Sequence, residues 1–248
     1  MTVSVVTVTY NAASTVEEAV QSVVEQVGDF ALDYHIVDGG STDQTLERIR
    51  PFEDRITRVT SGKDQGLYDA MNRGVARAKG DIIGILNADD AYADPQVIAD
   101  VLRTFEETGA DGVYADLDYV DEATATAITR QWKSGGPGDF RKGWMPPHPT
   151  LFVKRSLYDQ HGLFNLQLRS AADYELMLRF FHFRGAALAY LPRTTVKMRA
   201  GGQSNASLGN RIKANAEDAK AWRLNGAAPP PLLRLQKPLR KLSQFGTR

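Results

Sequence analysis

The residues with the clearest chemical potential are two adjacent carboxylates, Asp89 and Asp90, closing the run Gly84-Ile85-Leu86-Asn87-Ala88-Asp89-Asp90. The apolar half reads as a buried strand, and a strand needs no acids at its end to fold. Paired carboxylates can hold a hard cation, which takes one or two of them and completes its shell with substrate phosphates. Asn-Ala-Asp-Asp is also a good loop and cap sequence, so a plain turn competes with a metal site. A matching acid, Asp38, opens Asp38-Gly39-Gly40-Ser41-Thr42-Asp43. Its glycines permit close backbone approach, the helix that follows favours an anion, and a base or ribose could bond to Asp38. A capped turn is the alternative. The spacing matches neither the dinucleotide-binding glycine fingerprint nor a phosphate-binding P-loop.

The segment from Lys63 to Gly74 mixes charge, glycine and small residues where a plain amphipathic helix would not. Met71, Val75 and Ala78 can face a core, leaving Asp69, Asn72 and Arg73 at the helix start. An arginine there can neutralise a diphosphate; a solvated helix face explains any one of these residues equally well. Asp173 leads an apolar helix containing Leu176, Leu178 and Phe180. It can cap that helix, and it can also serve as a general base, which needs a carboxylate within about 3 Å of a hydroxyl. His148 lies between Pro147 and Pro149 in a stiff loop, suited to a metal ligand or an acceptor contact but also to a structural role. Trp132 and Trp144 flank Ser134-Gly135-Gly136-Pro137-Gly138, as sugar-stacking faces or as core.

These side chains need a scaffold that gathers them. Val3 to Tyr10 is a β-branched strand broken at Asn11-Ala12-Ala13. Ser14 and Glu17 fit a capping box, followed by Val16, Ala19, Val20, Val23, Val24 and Val27 at helical spacing. Strands over Tyr34–Val37, Thr57–Thr60 and Ile82–Leu86 alternate with helices opened by Ser41 and Gln44, running from Leu67 to Lys79 and closed by Gly80, and starting at Asp94-Pro95. Such alternation predicts βαβ units and a mostly parallel sheet. Its ligand crevice lies at the carboxyl ends of the strands. Thr9, Tyr10 and Asn11 follow the first strand, Asp38 the second, and Asp89 and Asp90 the fourth. After Gly112 the pattern changes to a strand at Val113–Asp116, a hairpin around Asp121-Glu122, a strand at Leu151–Lys154, a helix from Asp173 to Phe183 and a strand near Ala187–Leu191. The expected organisation is a domain over 1–228, with a nucleotide-binding half at 1–112, an acceptor-binding half at 113–200 and a helical extension at 201–228. A tail follows at 229–248.

Composition is that of an ordinary globular chain: 248 residues, 42% hydrophobic, 24% charged, with 30 basic and 30 acidic side chains. The zero net charge argues against a nucleic-acid partner, and the absence of cysteine removes thiolate nucleophiles and cysteine zinc sites. No apolar stretch approaches the roughly 20 residues that span a bilayer, and the N-terminus lacks a signal-peptide pattern, so a cytoplasmic location is expected. From Leu232 to Arg248 there are five Lys or Arg and no acids, with Leu232, Leu235, Leu239 and Leu242 on one helical stripe. That pattern suits peripheral contact with an anionic membrane's inner face, or a packing helix with a solvated basic face.

Thr9-Tyr10-Asn11, the Asp38–Asp43 turn, Gly66-Leu67-Tyr68-Asp69-Ala70-Met71-Asn72, Asn87-Ala88-Asp89-Asp90 and Asp173-Tyr174-Glu175 occur in this order. Over roughly residues 2–200 the chain resembles a family 2 glycosyltransferase of the GT-A fold, similar to bacterial enzymes of exopolysaccharide, colanic-acid or O-antigen assembly. The resemblance implies an α/β fold with a mixed sheet flanked by helices. It implies inverting, metal-dependent transfer from a nucleotide-diphosphate sugar to a glycan or lipid-linked acceptor. Thr9 and Asp38 would hold base and ribose, Asp64 would sit near them, and Arg73 near the diphosphate. Tyr10, Asn11, Asn72 and Asn87 join the donor side. Asp89 and Asp90 would contact ribose and Mg²⁺ or Mn²⁺, with His148 as a further metal ligand, and Asp173 would be the base. Asn87 replaces the first acid of the family's DXD-type run, and Gln65 stands where relatives often carry a basic residue. No processive Gln-x-x-Arg-Trp motif occurs, so single transfer is expected. A nucleotidyltransferase and a sugar-nucleotide-binding protein without activity are the competing readings. The first would need a glycine-rich basic loop after the first strand, which Tyr10-Asn11-Ala12-Ala13-Ser14-Thr15 is not.

Overall fold

The computed structural model describes residues 1–121, 124–199 and 208–231. Glu122, at the expected hairpin tip, and the basic stripe of 232–248 lie outside them. Four parallel strands form one side of a nine-stranded sheet: β1 (Thr2–Thr9), β2 (Ala31–Asp38), β3 (Arg58–Ser61) and β4 (Ile82–Asn87). Helices α1 (Val16–Val24), α2 (Thr45–Ile49) and α3 (Leu67–Val75) connect them. Short β5 (Asp90–Tyr92) and α4 (Val97–Thr108) follow. The second half adds β6 (Gly112–Val120), β7 (Ile128–Trp132), β8 (Phe152–Lys154), α5 (Arg155–His161), α6 (Ala172–Met177), β9 (Leu188–Arg199) and α7 (Leu208–Leu224). The sheet runs β3-β2-β1-β4-β8-β6-β9-β5, with β7 pairing β6. The two halves therefore share one sheet, joined where β8 pairs antiparallel with both β4 and β6.

Strand alternation sorts the core onto two faces. Val6 and Val8 of β1, with Ile83 and Ile85 of β4, pack with α3, α5 and α6. Val3 and Val5, with Ile82 and Leu86, pack with α1 and α4. Gly74 lets α3 lie close to the sheet: a Cβ there would stand 2.2 Å from Val6 Cγ1.

Several local expectations are corrected. Ser14 and Glu17 form no capping box; α1 starts at Val16, where the Ala12 carbonyl accepts from the Thr15 and Val16 N–H groups. Ser41 does not cap α2, because its N–H and hydroxyl both bond to the Asp38 carboxylate. α3 stops at Val75, well before Gly80. The helix after Asp173 begins at Ala172 and converts into a π-helical turn over Leu178–Phe183. β9 runs on to Arg199, through Pro192. Leu191 pairs with Ala115 and Thr194 with Asp116, so Pro192 and Arg193 fall in a bulge that spares the proline a ladder bond. Among the described residues no helix is long and apolar enough to cross a membrane.

Candidate functional site

The parallel register puts the ends of β1, β2 and β4 side by side. Thr9 pairs with Asp38 and Val8 with Asn87, so the three polar termini open on one crevice. Asp38 is 1% exposed, and its carboxylate accepts from the Gly40 and Ser41 N–H groups and from the Ser41 and Ser61 hydroxyls. Those bonds fill its lone pairs. Its carboxylate builds the turn at the end of β2. Asn11, at φ +48°, ties that turn to β1: its side-chain oxygen accepts from the Thr42 N–H, and its own N–H donates to Ser41 Oγ. Tyr10 is exposed beside it. Asp64 reaches in from the loop before α3, its Oδ1 accepting from the Gly66 N–H. Its Oδ2 lies where Gly39 leaves room, since a Cβ on Gly39 would come within 2.7 Å of it.

Thr9 Oγ1, Asn87 Oδ1 and Asp90 Oδ1 are buried with no hydrogen-bond partner in this structure. A buried polar atom left unpaired is costly, and three gather at the ends of β1 and β4 and the start of β5, where they can take bonds from a polar ligand. Asp90 sits in β5, 2% exposed, with Asn87 Nδ2 donating to its Oδ2 at 3.1 Å. Burial, reinforced by the neighbouring Asp89 charge, pushes its carboxyl well above the ordinary range. A cation relieves both penalties. Asp89 is half-buried on the same narrow cleft, which Glu18, Lys197 and Arg199 also line. This donor set fits a cation that draws further ligands from phosphates.

Arg73 pairs with Asp69 at 2.7 Å and donates to the Lys63 carbonyl, which keeps its guanidinium beside the Asp64 loop. Asn72 donates its amide to the Phe164 carbonyl and accepts from the Phe164 N–H, at 2.9 and 2.8 Å, and so fastens the second half to α3.

Asp173 lies in the first turn of α6 without capping it; the cap position is Ala171. Its Oδ1 accepts from the Tyr68 hydroxyl at 3.0 Å. Burial, then the Asp173 carboxylate, pushes the Tyr68 phenol far upward. His148 also faces Asp173: burial holds the imidazole below its ordinary pKa, and the carboxylate opposes that shift. Among the described residues no three metal-ligating side chains converge. His148, expected as a metal ligand, faces the Asp173 carboxylate. Trp144 is core, edge-on to Phe140 and Tyr114. The loop it underlies is tied down by Asp116, which accepts from the Ser134 N–H, and by the Tyr114 hydroxyl, which donates to the Gly135 carbonyl.

Two participants were assigned no role from the sequence: Tyr68, which lies inside the Gly66–Asn72 segment, and Glu217, which no motif marks. Glu217 of α7 accepts from the Arg169 and Ser170 N–H groups and from the Ser170 hydroxyl, just before the Asp173 helix.

The family model for Glycosyl transferase family 2 matches residues 4–173. A PGL/p-HBAD biosynthesis glycosyltransferase of Mycobacterium bovis is 32% identical over 188 residues, covering 72% of this chain and 69% of the relative. The S. aureus TarS 1-349 crystal structure in complex with UDP-GlcNAc matches with a TM-score of 0.68 at 17% identity, over 99% of this chain and 78% of that one. The mannosyltransferase PcManGT from Pyrobaculum calidifontis, in complex with GDP-Man and Mn²⁺, matches with a TM-score of 0.65 at 20% identity, over 98% and 69%. These structural likenesses establish the GT-A fold. On the sequence match, which runs from the first strand to Asp173, the chain belongs to glycosyl transferase family 2.

Proposed function

We propose that the protein transfers one sugar, with inversion, from a nucleotide-diphosphate sugar to a hydroxyl of a glycan or lipid-linked acceptor. The observation that carries this reading is the trio of unpartnered buried atoms, Thr9 Oγ1, Asn87 Oδ1 and Asp90 Oδ1, beside the Asp89 carboxylate. A nucleotide-diphosphate with its cation supplies the donors and the charge that this crevice lacks. The M. bovis relative is named as a glycosyltransferase, and the two solved neighbours hold UDP-GlcNAc and GDP-Man with Mn²⁺. This support favours transfer over nucleotidyl transfer or plain binding.

Thr9, Tyr10, Asn11 and Asp64 are assigned to the nucleoside, with Asp38 shaping the turn beneath it. Arg73 flanks the diphosphate. Asp89 and Asp90, with Asn87 behind them, would hold Mg²⁺ or Mn²⁺, which when bound supplies Lewis-acid stabilisation of the leaving diphosphate. Asp173 takes the proton of the acceptor hydroxyl as that oxygen bonds to the anomeric carbon. The bond from that carbon to the phosphate oxygen breaks in the same step, and its electron pair leaves with the diphosphate. Half-buried Asp173 can reach an acceptor while Tyr68 and His148 screen it from water on the protein side. The loop tied by Asp116 and Tyr114 is assigned to the acceptor.

A thermal-shift screen with UDP-GlcNAc, UDP-glucose and GDP-mannose, each with Mn²⁺ or EDTA, tests this reading. A donor at about 100 times its Kd stabilises by about 2.7 kcal/mol, a rise of roughly 5–10 °C for a chain of this size. No shift with any donor would overturn the donor site, and equal shifts in EDTA would overturn the metal.

A further inference from the structure

We infer that Tyr68 is a positioning residue for the general base: its phenol fixes one oxygen of the Asp173 carboxylate and leaves the other for the acceptor hydroxyl. The inference rests on the proposed role of Asp173. The Tyr68 hydroxyl donates to Asp173 Oδ1 at 3.0 Å, and among the described residues no hydrogen bond reaches Oδ2. The direction of the bond is set by chemistry: an ionised carboxylate only accepts, so the phenol supplies the proton.

The ring itself is held rigidly. Tyr68 is 8% exposed and stacks on Phe164 with centroids 5.6 Å apart and planes 21° apart. Asn72, one turn further along α3, clamps the backbone of that same Phe164. One helix thus fixes both the phenol and the ring it leans on, so the Gly66–Asn72 segment mounts the base. A phenylalanine would fill this space equally well; the hydroxyl adds the bond to Asp173. Locking one oxygen removes rotation that would turn the other away from the acceptor.

The titratable groups facing Asp173 are the Tyr68 phenol from α3 and the His148 imidazole from the turn before β8. The decisive variant is Tyr68→Phe, which keeps the stacked ring. Turnover of UDP-GlcNAc and of GDP-mannose with Mn²⁺, with water as acceptor, is followed against pH for wild type, Tyr68→Phe, Asp173→Asn and Tyr68→Phe in a His148→Gln background. The expected result for Tyr68→Phe is a kcat lower by about ten-fold with donor KM held within about two-fold. The same kcat loss is expected in the His148→Gln background. A kcat within about two-fold of wild type, or a loss confined to donor KM, overturns the inference. If Asp173→Asn turns over donor at the wild-type rate, or no donor is turned over by wild type, the base assignment itself fails. If Asp173→Asn is inactive and Tyr68→Phe keeps the wild-type kcat, only the role of Tyr68 fails.

Discussion

Glu217 offers a sharp test of how the second half holds its carboxylate in place. α6 has no cap of its own, because Ala171 has no polar side chain to offer. Glu217 reaches across from α7 and accepts from the Arg169 N–H at 3.0 Å, the Ser170 N–H at 2.7 Å and the Ser170 hydroxyl at 2.9 Å. Lys220, Trp222 and Asn225 seat α7 on the same region by bonding to the Gln167 carbonyl, the Tyr174 hydroxyl and the Glu175 carboxylate. Loss of a helix cap costs about 0.5–2 kcal/mol, and the partial exposure of Glu217 places Glu217→Gln in the lower half of that range, about 0.5–1 kcal/mol. For a chain of this length that lowers Tm by roughly 1–4 °C. The pH dependence follows from its partners. Burial pushes the carboxyl up, but the N–H groups of Arg169 and Ser170 and the Ser170 hydroxyl outweigh it and hold it below its ordinary value of 4.5. A depressed folded pKa gives stability that is complete above the unfolded value and is lost as pH falls through the folded one. Urea midpoints of wild type and Glu217→Gln should therefore differ at pH 7 and converge below about pH 4.5. Equal midpoints at pH 7, or a gap that persists to the lowest pH at which the protein folds, would refute this reasoning.

Two further outcomes are expected. Gly39→Ala sets a Cβ within 2.7 Å of Asp64 Oδ2; calorimetry with the donor found by thermal shift should show affinity reduced about ten-fold, and unchanged affinity would separate Asp64 from the nucleoside. His148 is held below its ordinary pKa of 6.5 by burial, against the pull of Asp173. The folded chain then binds fewer protons than the unfolded one, so this residue's stability is complete above pH 6.5 and falls away as pH drops toward the depressed value. His148→Gln should flatten that slope in denaturation curves across pH 5–7, and superimposable slopes would contradict the assignment.

The alternation of β-branched strands and amphipathic helices made the parallel half legible, because period and turn residues are local signals. The crevice followed from it, since strand ends gather wherever the strands are parallel. What stayed hidden depended on distant partners. Asp38 appears in the sequence as a free acid, and only the fold brings Ser61 to its carboxylate. Asn72 appears with no distant partner, and only the fold brings Phe164, 92 positions away, to both ends of its amide. Pro192 reads as the end of a strand, but a bulge opposite Ala115 and Asp116 absorbs it. β5 is three residues long, too short for a periodic signal, and it owes its existence to β9. Tyr68 sits in the Gly66–Asn72 motif without a role that the sequence names, Glu217 sits in none, and their meaning comes from the carboxylate and the helix they touch.

The central claim is that this crevice carries out base-assisted sugar transfer, with Asp173 as the base. Its most direct test is single-turnover transfer by Asp173→Asn, with donor affinity measured alongside on the same protein. General-base removal costs about 10²–10⁴ in rate, so the account predicts a loss of that size with donor Kd unchanged. Transfer at the wild-type rate would contradict it.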